Sequence, residues 1–158
     1  TVEENFGNCK GLKFVFMGDA RNNVANSLMV VCAKLGVNFV ACGPKEQMPA
    51  ADLVETCKAI AAENGSTITL TDDVKEGTKG AHVIYTDIWV SMGEPDSVWA
   101  ERIKLLEPYR VTSDLMEDYV KNPDCLVMHM LPAYHNADMK LMQKFLAEAK
   151  NSKVQLFI

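Results

Sequence analysis

Short apolar runs alternate along the chain with longer segments in which apolar residues recur at helical spacing. The apolar runs are typical of buried parallel strands, and we predict strands at Leu12–Met17, Val37–Cys42, Thr67–Leu70, His82–Thr86, Cys125–His129 and Val154–Ile158. The longer segments predict helices at Asn22–Leu35, Ala51–Asn64, Val74–Gly77, Asp96–Leu106, Ser113–Val120 and Asp138–Lys150. In the first long helix the period is carried by Val24, Leu28, Val31 and Leu35. Gly36 and Gly65 suit helix C-terminal ends, and Ser113 is placed as an N-cap.

Strands that alternate with helices of this length indicate βαβ units with right-handed crossovers. We therefore predict an α/β fold: one three-layer, Rossmann-like domain over residues 1–158, with a mainly parallel sheet and helices on both faces. In such sheets ligands bind outside the carboxyl ends of the strands. Three segments directly follow predicted strands and should converge on one edge, namely Gly18–Asn23, Asp87–Glu94 and His129–Asn136.

Composition narrows the classes of function. The 158 residues are 48% hydrophobic and carry a formal net charge of −5, which fits one globular domain and disfavours nucleic acid as a partner. No apolar run approaches the ~18 residues of a membrane span. The chain opens on Thr1-Val2-Glu3-Glu4 without an initiator Met, so we expect no signal peptide and either a processed start or a piece of a longer protein. Five cysteines without a Cys-x-x-Cys pair favour a reduced, cytoplasmic protein without a disulfide framework or metal site.

The segment Gly18–Asn23 joins the first strand to the first helix. It has only one glycine of a dinucleotide fingerprint, which disfavours a nicotinamide cofactor. The N–H groups of a helix N-terminus and two amide side chains suit a carboxylate or another small anion. The alternative is that Asp19 or Asn22 only caps the helix.

The other two segments place an acid and a histidine at strand ends. Asp87 follows an apolar strand and precedes a Ser-Met-Gly turn, an arrangement that suits an ammonium group, although a single Asp could simply start a turn. His129 precedes a Pro-containing turn and could donate a hydrogen bond to a carbonyl oxygen on which negative charge develops, although it could also be structural. We interpret His82 and His135 as structural or surface groups.

Together these segments resemble the second, ornithine-binding domain of ornithine carbamoyltransferases. The matching stretches are Gly18–Asn23 with Asn26-Ser27, Thr69–Asp73, Tyr85–Glu94 and His129–Asn136. The similarity runs from about Leu12 to Asn136 in the family's order and spacing. The Asp-x-Trp-x-Ser-Met-Gly segment is specific for the ornithine branch over the aspartate branch.

The resemblance implies transfer of a carbamoyl group from carbamoyl phosphate to the δ-amine of L-ornithine, which gives L-citrulline and phosphate in arginine metabolism without a cofactor or a metal. It implies that Asn23 holds the substrate α-carboxylate and that Asp87 engages the α-ammonium group. Ser91 and Met92 would contact the same end of the amino acid. His129 would polarise the carbamoyl carbonyl, and the Leu131 carbonyl would orient the carbamoyl group or the attacking amine. Family members are commonly trimers or sets of trimers.

Two departures from the family stand out. Met130 occupies the position where the family usually has Cys, and a thioether cannot take up a proton near neutral pH. The carbamoyl-phosphate domain with its Ser-x-Arg-Thr-Arg motif is absent from this sequence, and Arg21 is the only arginine in the three segments. We therefore expect this chain to be one half of an enzyme and to be inactive alone. The alternatives are a non-catalytic amino-acid-binding module or degenerate homologue, and, more distantly, a generic nucleotide-binding domain.

Overall fold

The computed structural model describes residues 1–89, 98–131 and 156–157, and its helices and strands alternate along the chain. The helices are α1 (Val2–Phe6), α2 (Asn23–Leu35), α3 (Ala51–Asn64), α4 (Val74–Thr78) and α5 (Trp99–Leu106). The strands are β1 (Lys13–Met17), β2 (Asn38–Cys42), β3 (Ile68–Thr71), β4 (Val83–Thr86), β5 (Leu126–His129) and β6 (Leu156–Phe157). The predicted helix Asp138–Lys150 and the start of the predicted helix Asp96–Leu106 lie outside the described residues.

The strands form a single sheet in the order β3-β2-β1-β4-β5-β6, and every neighbouring pair is parallel. The chain moves outward from β1 to β3, returns to the other side of β1 and continues outward through β4 and β5. The order therefore reverses between β1 and β4, which makes that gap the topological switch point where ligands bind in such sheets. The predicted α/β fold is confirmed.

Alternate residues of the strands fill two apolar cores, one on each face of the sheet. Phe14 and Phe16 of β1 pack with the buried residues of α2 and α3 on one face. Val15 and Met17 pack on the other face with residues such as Tyr109 and Leu115. This period-two alternation inside continuous apolar strands is what a parallel sheet covered on both faces requires.

Helix α2 is defined at both ends by its sequence. Asn22 is the N-cap, with its Oδ1 accepting from the Ala25 N–H at 2.7 Å, and Gly36 ends the helix at φ 72°. The stripe that carries the helical period is not the buried one: the fully buried positions include Ala25 and Met29, whereas Leu35 is 54% exposed. Small residues at the contact let α2 pack closely on the sheet and on α3.

Two further elements differ from the predictions. The predicted helix Ser113–Val120 is π-helical over Leu115–Val120, and Thr112 rather than Ser113 is its N-cap, because the Thr112 hydroxyl accepts from the Leu115 N–H at 3.2 Å. Helix α1 was not predicted, since its single turn is too short to show a period. None of the helices in the described ranges is long and apolar enough to cross a membrane.

Candidate functional site

The described parts of the three segments meet at the carboxyl edge of the sheet. Met17, Thr86 and His129 are register partners at the ends of β1, β4 and β5. The Thr86 hydroxyl donates to the Met17 carbonyl at 2.9 Å, and the Met130 N–H donates to the Thr86 carbonyl at 3.0 Å. The predicted convergence is therefore confirmed for these residues.

Two glycines let the first segment leave the sheet tightly. Gly18 has φ 125°, a backbone conformation that residues other than glycine rarely adopt. Its N–H donates to the Cys42 carbonyl at 3.0 Å. A Cβ atom on Gly43 would collide with the Gly18 carbonyl oxygen. The close approach of the chain after β1 and after β2 therefore requires glycine at position 43, and the backbone conformation favours glycine at position 18.

Asn22 and Asp87 connect the two sides of the switch point. Besides capping α2, Asn22 donates from Nδ2 to Asp87 Oδ2 at 3.3 Å. Asp87 Oδ1 accepts from the Ile88 N–H at 2.7 Å, so within the part of the chain that the structure describes each carboxylate oxygen has one hydrogen bond. An ionised carboxylate offers about four acceptor positions. Asp87 thus keeps capacity for a cationic ligand while its orientation is fixed from two directions.

Asn23 is the first residue of α2, and its side chain is exposed. It follows Asn22, and it stands at the end of the helix where the free N–H groups and the positive end of the helix dipole lie. The structure therefore places Asn23 beside the Asn22–Asp87 pair, at the predicted edge. Sequence reasoning gave the Asn22 amide either a part in binding an anion or a capping role, and it missed the contact with Asp87.

Asp19 organises the loop before α2. Its carboxylate accepts from the Arg21 guanidinium at 3.0 and 3.2 Å and from Arg102 NH1 of α5 at 2.9 Å. Burial alone would raise the pKa of Asp19, but the hydrogen bonds and charge of Arg21, together with Arg102, hold it below its ordinary value. The ion pair with Arg102, which no local sequence pattern indicates, connects the loop before α2 to α5.

His129, at the end of β5, is half-buried, and its Nδ1 lies 2.5 Å from the Met130 carbonyl oxygen. A carbonyl oxygen can only accept, so this contact requires the proton on Nδ1. In the neutral ring, Nε2 is then an acceptor; in the imidazolium both nitrogens donate. His82, by contrast, accepts the Lys13 N–H on Nδ1 at 2.9 Å and contacts Phe6 edge-on, which confirms its structural role.

Met130 and Leu131 follow His129 at the exposed rim, where they are 40% and 59% exposed. The Met130 sulfur accepts from the Tyr85 hydroxyl at 3.6 Å, a contact that sequence reasoning did not anticipate. The sequence contains one indication that Tyr85 belongs to this region. Tyr85 lies two residues before Asp87, so in an extended strand the two side chains are on the same face of the sheet. The predicted site residues Ser91 and Met92, and also His135, lie outside the described residues.

Residues 10–153 match the family model described as aspartate/ornithine carbamoyltransferase, Asp/Orn binding domain. The chain belongs to the aspartate/ornithine carbamoyltransferase family. The resemblance to its ornithine-binding domain is confirmed, since curated relatives with similar sequences are named ornithine carbamoyltransferases.

Two curated relatives of this family show the extent of the similarity. The catabolic ornithine carbamoyltransferase of Treponema denticola is 61% identical over 136 residues, which cover 86% of this chain and 40% of that protein. The ornithine carbamoyltransferase of Thermotoga petrophila is 49% identical over 154 residues, which cover 98% of this chain and 48% of that protein. The chain thus spans less than half the length of these relatives.

A solved family member has the same fold. The ornithine carbamoyltransferase from Pyrococcus furiosus superposes with a TM-score of 0.76 at 39% identity, over 85% of this chain and 42% of that chain. The sheet and its carboxyl edge are therefore those of a carbamoyltransferase amino-acid-binding domain.

Proposed function

We propose that this chain binds L-ornithine at the carboxyl edge between β1 and β4, as the ornithine-binding domain of an ornithine carbamoyltransferase. The observation that carries the proposal is the Asn22–Asp87 hydrogen bond, which places a carboxylate beside the N-terminus of α2 at the switch point. The family membership and the names of the relatives support it. The reaction would form L-citrulline and phosphate from L-ornithine and carbamoyl phosphate.

The edge offers separate partners for the two charged groups of an α-amino acid. The Asn23 amide and the N–H groups of the first turn of α2 suit the α-carboxylate. Asp87 suits the α-ammonium group, because an ion pair with a half-buried carboxylate is screened less than one in open water. We assign Ser91 and Met92 to the same end of the amino acid on the strength of the family's motif.

The chemical step would take place over the end of β5. The ornithine δ-nitrogen would form a bond to the carbamoyl carbon while the bond from that carbon to the phosphate oxygen breaks. The proton lost by the amine would pass to the departing phosphate. As the imidazolium, His129 can donate from Nε2 to the carbamoyl oxygen while Nδ1 stays on the Met130 carbonyl. The Leu131 carbonyl would orient the carbamoyl group or the attacking amine.

The phosphate group would be bound by the half of the relatives that this chain does not span. The two arginines beside the described edge, Arg21 and Arg102, both pair with Asp19, whose single carboxylate offsets half of their combined charge. We therefore propose that residues 1–158 act as one domain, that the chain alone does not catalyse, and that the complete protein is a homotrimer or a multiple of trimers. We also propose a cytoplasmic location, which the five free cysteines favour.

Met130 favours a second candidate, a non-catalytic amino-acid-binding module. The thioether accepts the Tyr85 hydroxyl but cannot remove a proton from an amine. Such a module would bind ornithine through Asn23 and Asp87 and turn over nothing. The two candidates differ in whether citrulline forms when the remaining portion of an ornithine carbamoyltransferase is supplied.

The test joins this chain to the portion of the Treponema denticola relative outside the matched region and measures citrulline formation. We expect activity from the hybrid and none from the chain alone. Asp87→Asn in the hybrid should lower activity by roughly 100-fold, equivalent to ~2.7 kcal/mol. The matched control is Asp52→Asn on the exposed side of α3.

Two outcomes separate the candidates. A hybrid that is inactive with Met130 but gains activity on Met130→Cys would favour the non-catalytic module. A hybrid in which Asp87→Asn is as active as the parent would contradict the assignment of the site.

A further inference from the structure

Tyr85 packs against aromatic rings in the middle of the sheet. Its ring stacks on Phe14 at 6.0 Å and on Phe16 at 6.2 Å between centroids, and Phe14 in turn stacks on Phe39. Aromatic pairs of this geometry stabilise beyond the area that they bury. The position of the Tyr85 hydroxyl is therefore fixed by the strands rather than by a loop.

Met130 is fixed at two points. Its N–H donates to the Thr86 carbonyl at 3.0 Å, which completes the pairing of Thr86 with His129 at the ends of β4 and β5. Its Sδ accepts from the Tyr85 hydroxyl at 3.6 Å. Met has three rotatable side-chain bonds and normally adapts to its surroundings, so a rim methionine with a defined sulfur contact is restricted in a way that its exposure alone would not suggest.

The side chains of Tyr85 and Met130 lie on the same face of the sheet as Asp87. Tyr85 is paired with Met128, and Thr86 is paired with His129, so the same register continued by one residue would place Asp87 opposite Met130. Burial raises the pKa of Tyr85, and the nearby charge of Asp87 raises it further, so the hydroxyl remains a donor at neutral pH. An ammonium-binding carboxylate and a fixed, apolar thioether thus lie side by side.

We propose that Tyr85 is a positioning residue of this site: its hydroxyl holds the Met130 thioether beside Asp87, and the two side chains form the surface that the methylene groups of the bound amino acid contact. The inference rests on the proposed ornithine site and deepens it by naming what selects the length of the substrate. Asp87 fixes the α-ammonium end, and Met130 lies beside it, one strand away. A shorter aliphatic chain would bring its terminal amine against the thioether, whereas a longer one would still contact it with methylenes.

The contact itself is tested without ligand. The chain is labelled at its methionine methyl groups, and the Met130 signal is identified by its loss in Met130→Leu. We expect Tyr85→Phe, which keeps the ring stacking and removes only the hydroxyl, to move this signal toward the position of a freely rotating methionine. Tyr119→Phe, on an exposed side chain of the π-helical stretch, is the control and should leave it unchanged. A Met130 signal that is identical in Tyr85→Phe and in the parent overturns the inference.

The role in selectivity is tested by competition of L-ornithine with L-lysine and L-2,4-diaminobutyrate. We expect Tyr85→Phe to reduce the preference for ornithine over L-2,4-diaminobutyrate by about threefold, as loss of one modest hydrogen bond would do. The preference over L-lysine, whose methylenes also contact the thioether, should change less. Thermal unfolding should remain close to that of the parent, which separates positioning from a structural defect. An unchanged preference overturns the role of Tyr85 while leaving the ornithine site intact. Absence of saturable ornithine binding by the parent chain overturns the proposed function itself, and with it the selectivity role.

Discussion

Asn22 and Asp87 lie on opposite sides of the gap between β1 and β4 and are joined by a hydrogen bond of 3.3 Å from Nδ2 to Oδ2. The same amide caps α2 through its Oδ1 at 2.7 Å from the Ala25 N–H. One side chain therefore fixes both the helix N-terminus that would receive a carboxylate and the carboxylate that would receive an ammonium group. The stability of the helix and the geometry of the site depend on the same residue.

Substitutions at Asn22 should separate these two roles. Ser is a good N-cap but cannot donate an amide hydrogen to Asp87, whereas Ala does neither. We expect Asn22→Ala to lower the free energy of unfolding by ~1 kcal/mol and Asn22→Ser by only a few tenths, as measured by urea denaturation. Both should weaken ornithine binding, as measured by calorimetry. Equal stability of the two variants, or ornithine affinity unaffected in both, would contradict the dual role.

Asp19 should make the stability of the domain depend on pH. Its pKa lies below the ordinary value of 3.8 because the hydrogen bonds from Arg21 and Arg102 outweigh the effect of burial. A lowered pKa in the folded state contributes stability above the unfolded value, and this contribution is lost as the pH falls through the folded pKa. We expect Asp19→Asn to lower the free energy of unfolding by roughly 1–3 kcal/mol at pH 7.

The difference between Asp19→Asn and the parent should shrink as the pH falls below 3.8. Denaturation curves at pH 7, 5 and 3 measure it, and Asp118→Asn, on an exposed side chain, is the control. A difference that is independent of pH would show that the carboxylate charge contributes nothing.

His129 should carry its proton on Nδ1 when neutral, because Nδ1 lies against the Met130 carbonyl oxygen. Long-range nitrogen–proton correlation spectra distinguish the two neutral forms of each of the three histidines. His82 should show the opposite pattern, since its Nδ1 accepts the Lys13 N–H and leaves Nε2 to carry the proton. His129→Gln and His82→Gln assign the signals. An Nε2-protonated His129 would disprove the contact with the Met130 carbonyl.

The buried cysteines should react far more slowly than Cys9. Burial raises the pKa of Cys32, Cys42 and Cys125 to about 12, so only about one molecule in 10,000 carries a given thiolate at pH 8. Cys9 is half-buried. Alkylation with iodoacetamide at pH 8, followed by peptide mass analysis, should modify Cys9 first, and Cys9→Ser should remove the fast phase. Modification of Cys125 at the rate of Cys9 would contradict its burial.

The sheet could be predicted because its signal is local. Strands such as Val37–Cys42 are short runs that are apolar except at Asn38, and the helix predicted over Ala51–Asn64 has the same bounds as α3. The convergence of Gly18, Asp87 and Met130 could be predicted because residues that follow parallel strands lie at the same edge of the sheet, whatever their residue types. The roles given to Asn23, Asp87 and His129 came from the family resemblance and stay predictions.

The contacts within the site could not be predicted because they depend on which strands become neighbours. Asn22 and Asp87 are 65 residues apart, and they meet only because β4 pairs with β1. The Tyr85–Met130 contact likewise needs β5 beside β4 in a particular register. Arg102 reaches Asp19 over 83 residues from a helix whose place on the sheet no local pattern encodes.

The most direct test of the amino-acid site is an amide NMR titration of this chain with L-ornithine, with putrescine, which lacks the α-carboxylate, as the control. If the edge between β1 and β4 binds an α-amino acid, millimolar ornithine should shift the backbone amides of Asn22, Asn23, Asp87 and Met130, and putrescine should not. Equal responses to both compounds, or ornithine shifts confined to residues away from this edge, would contradict the site described here.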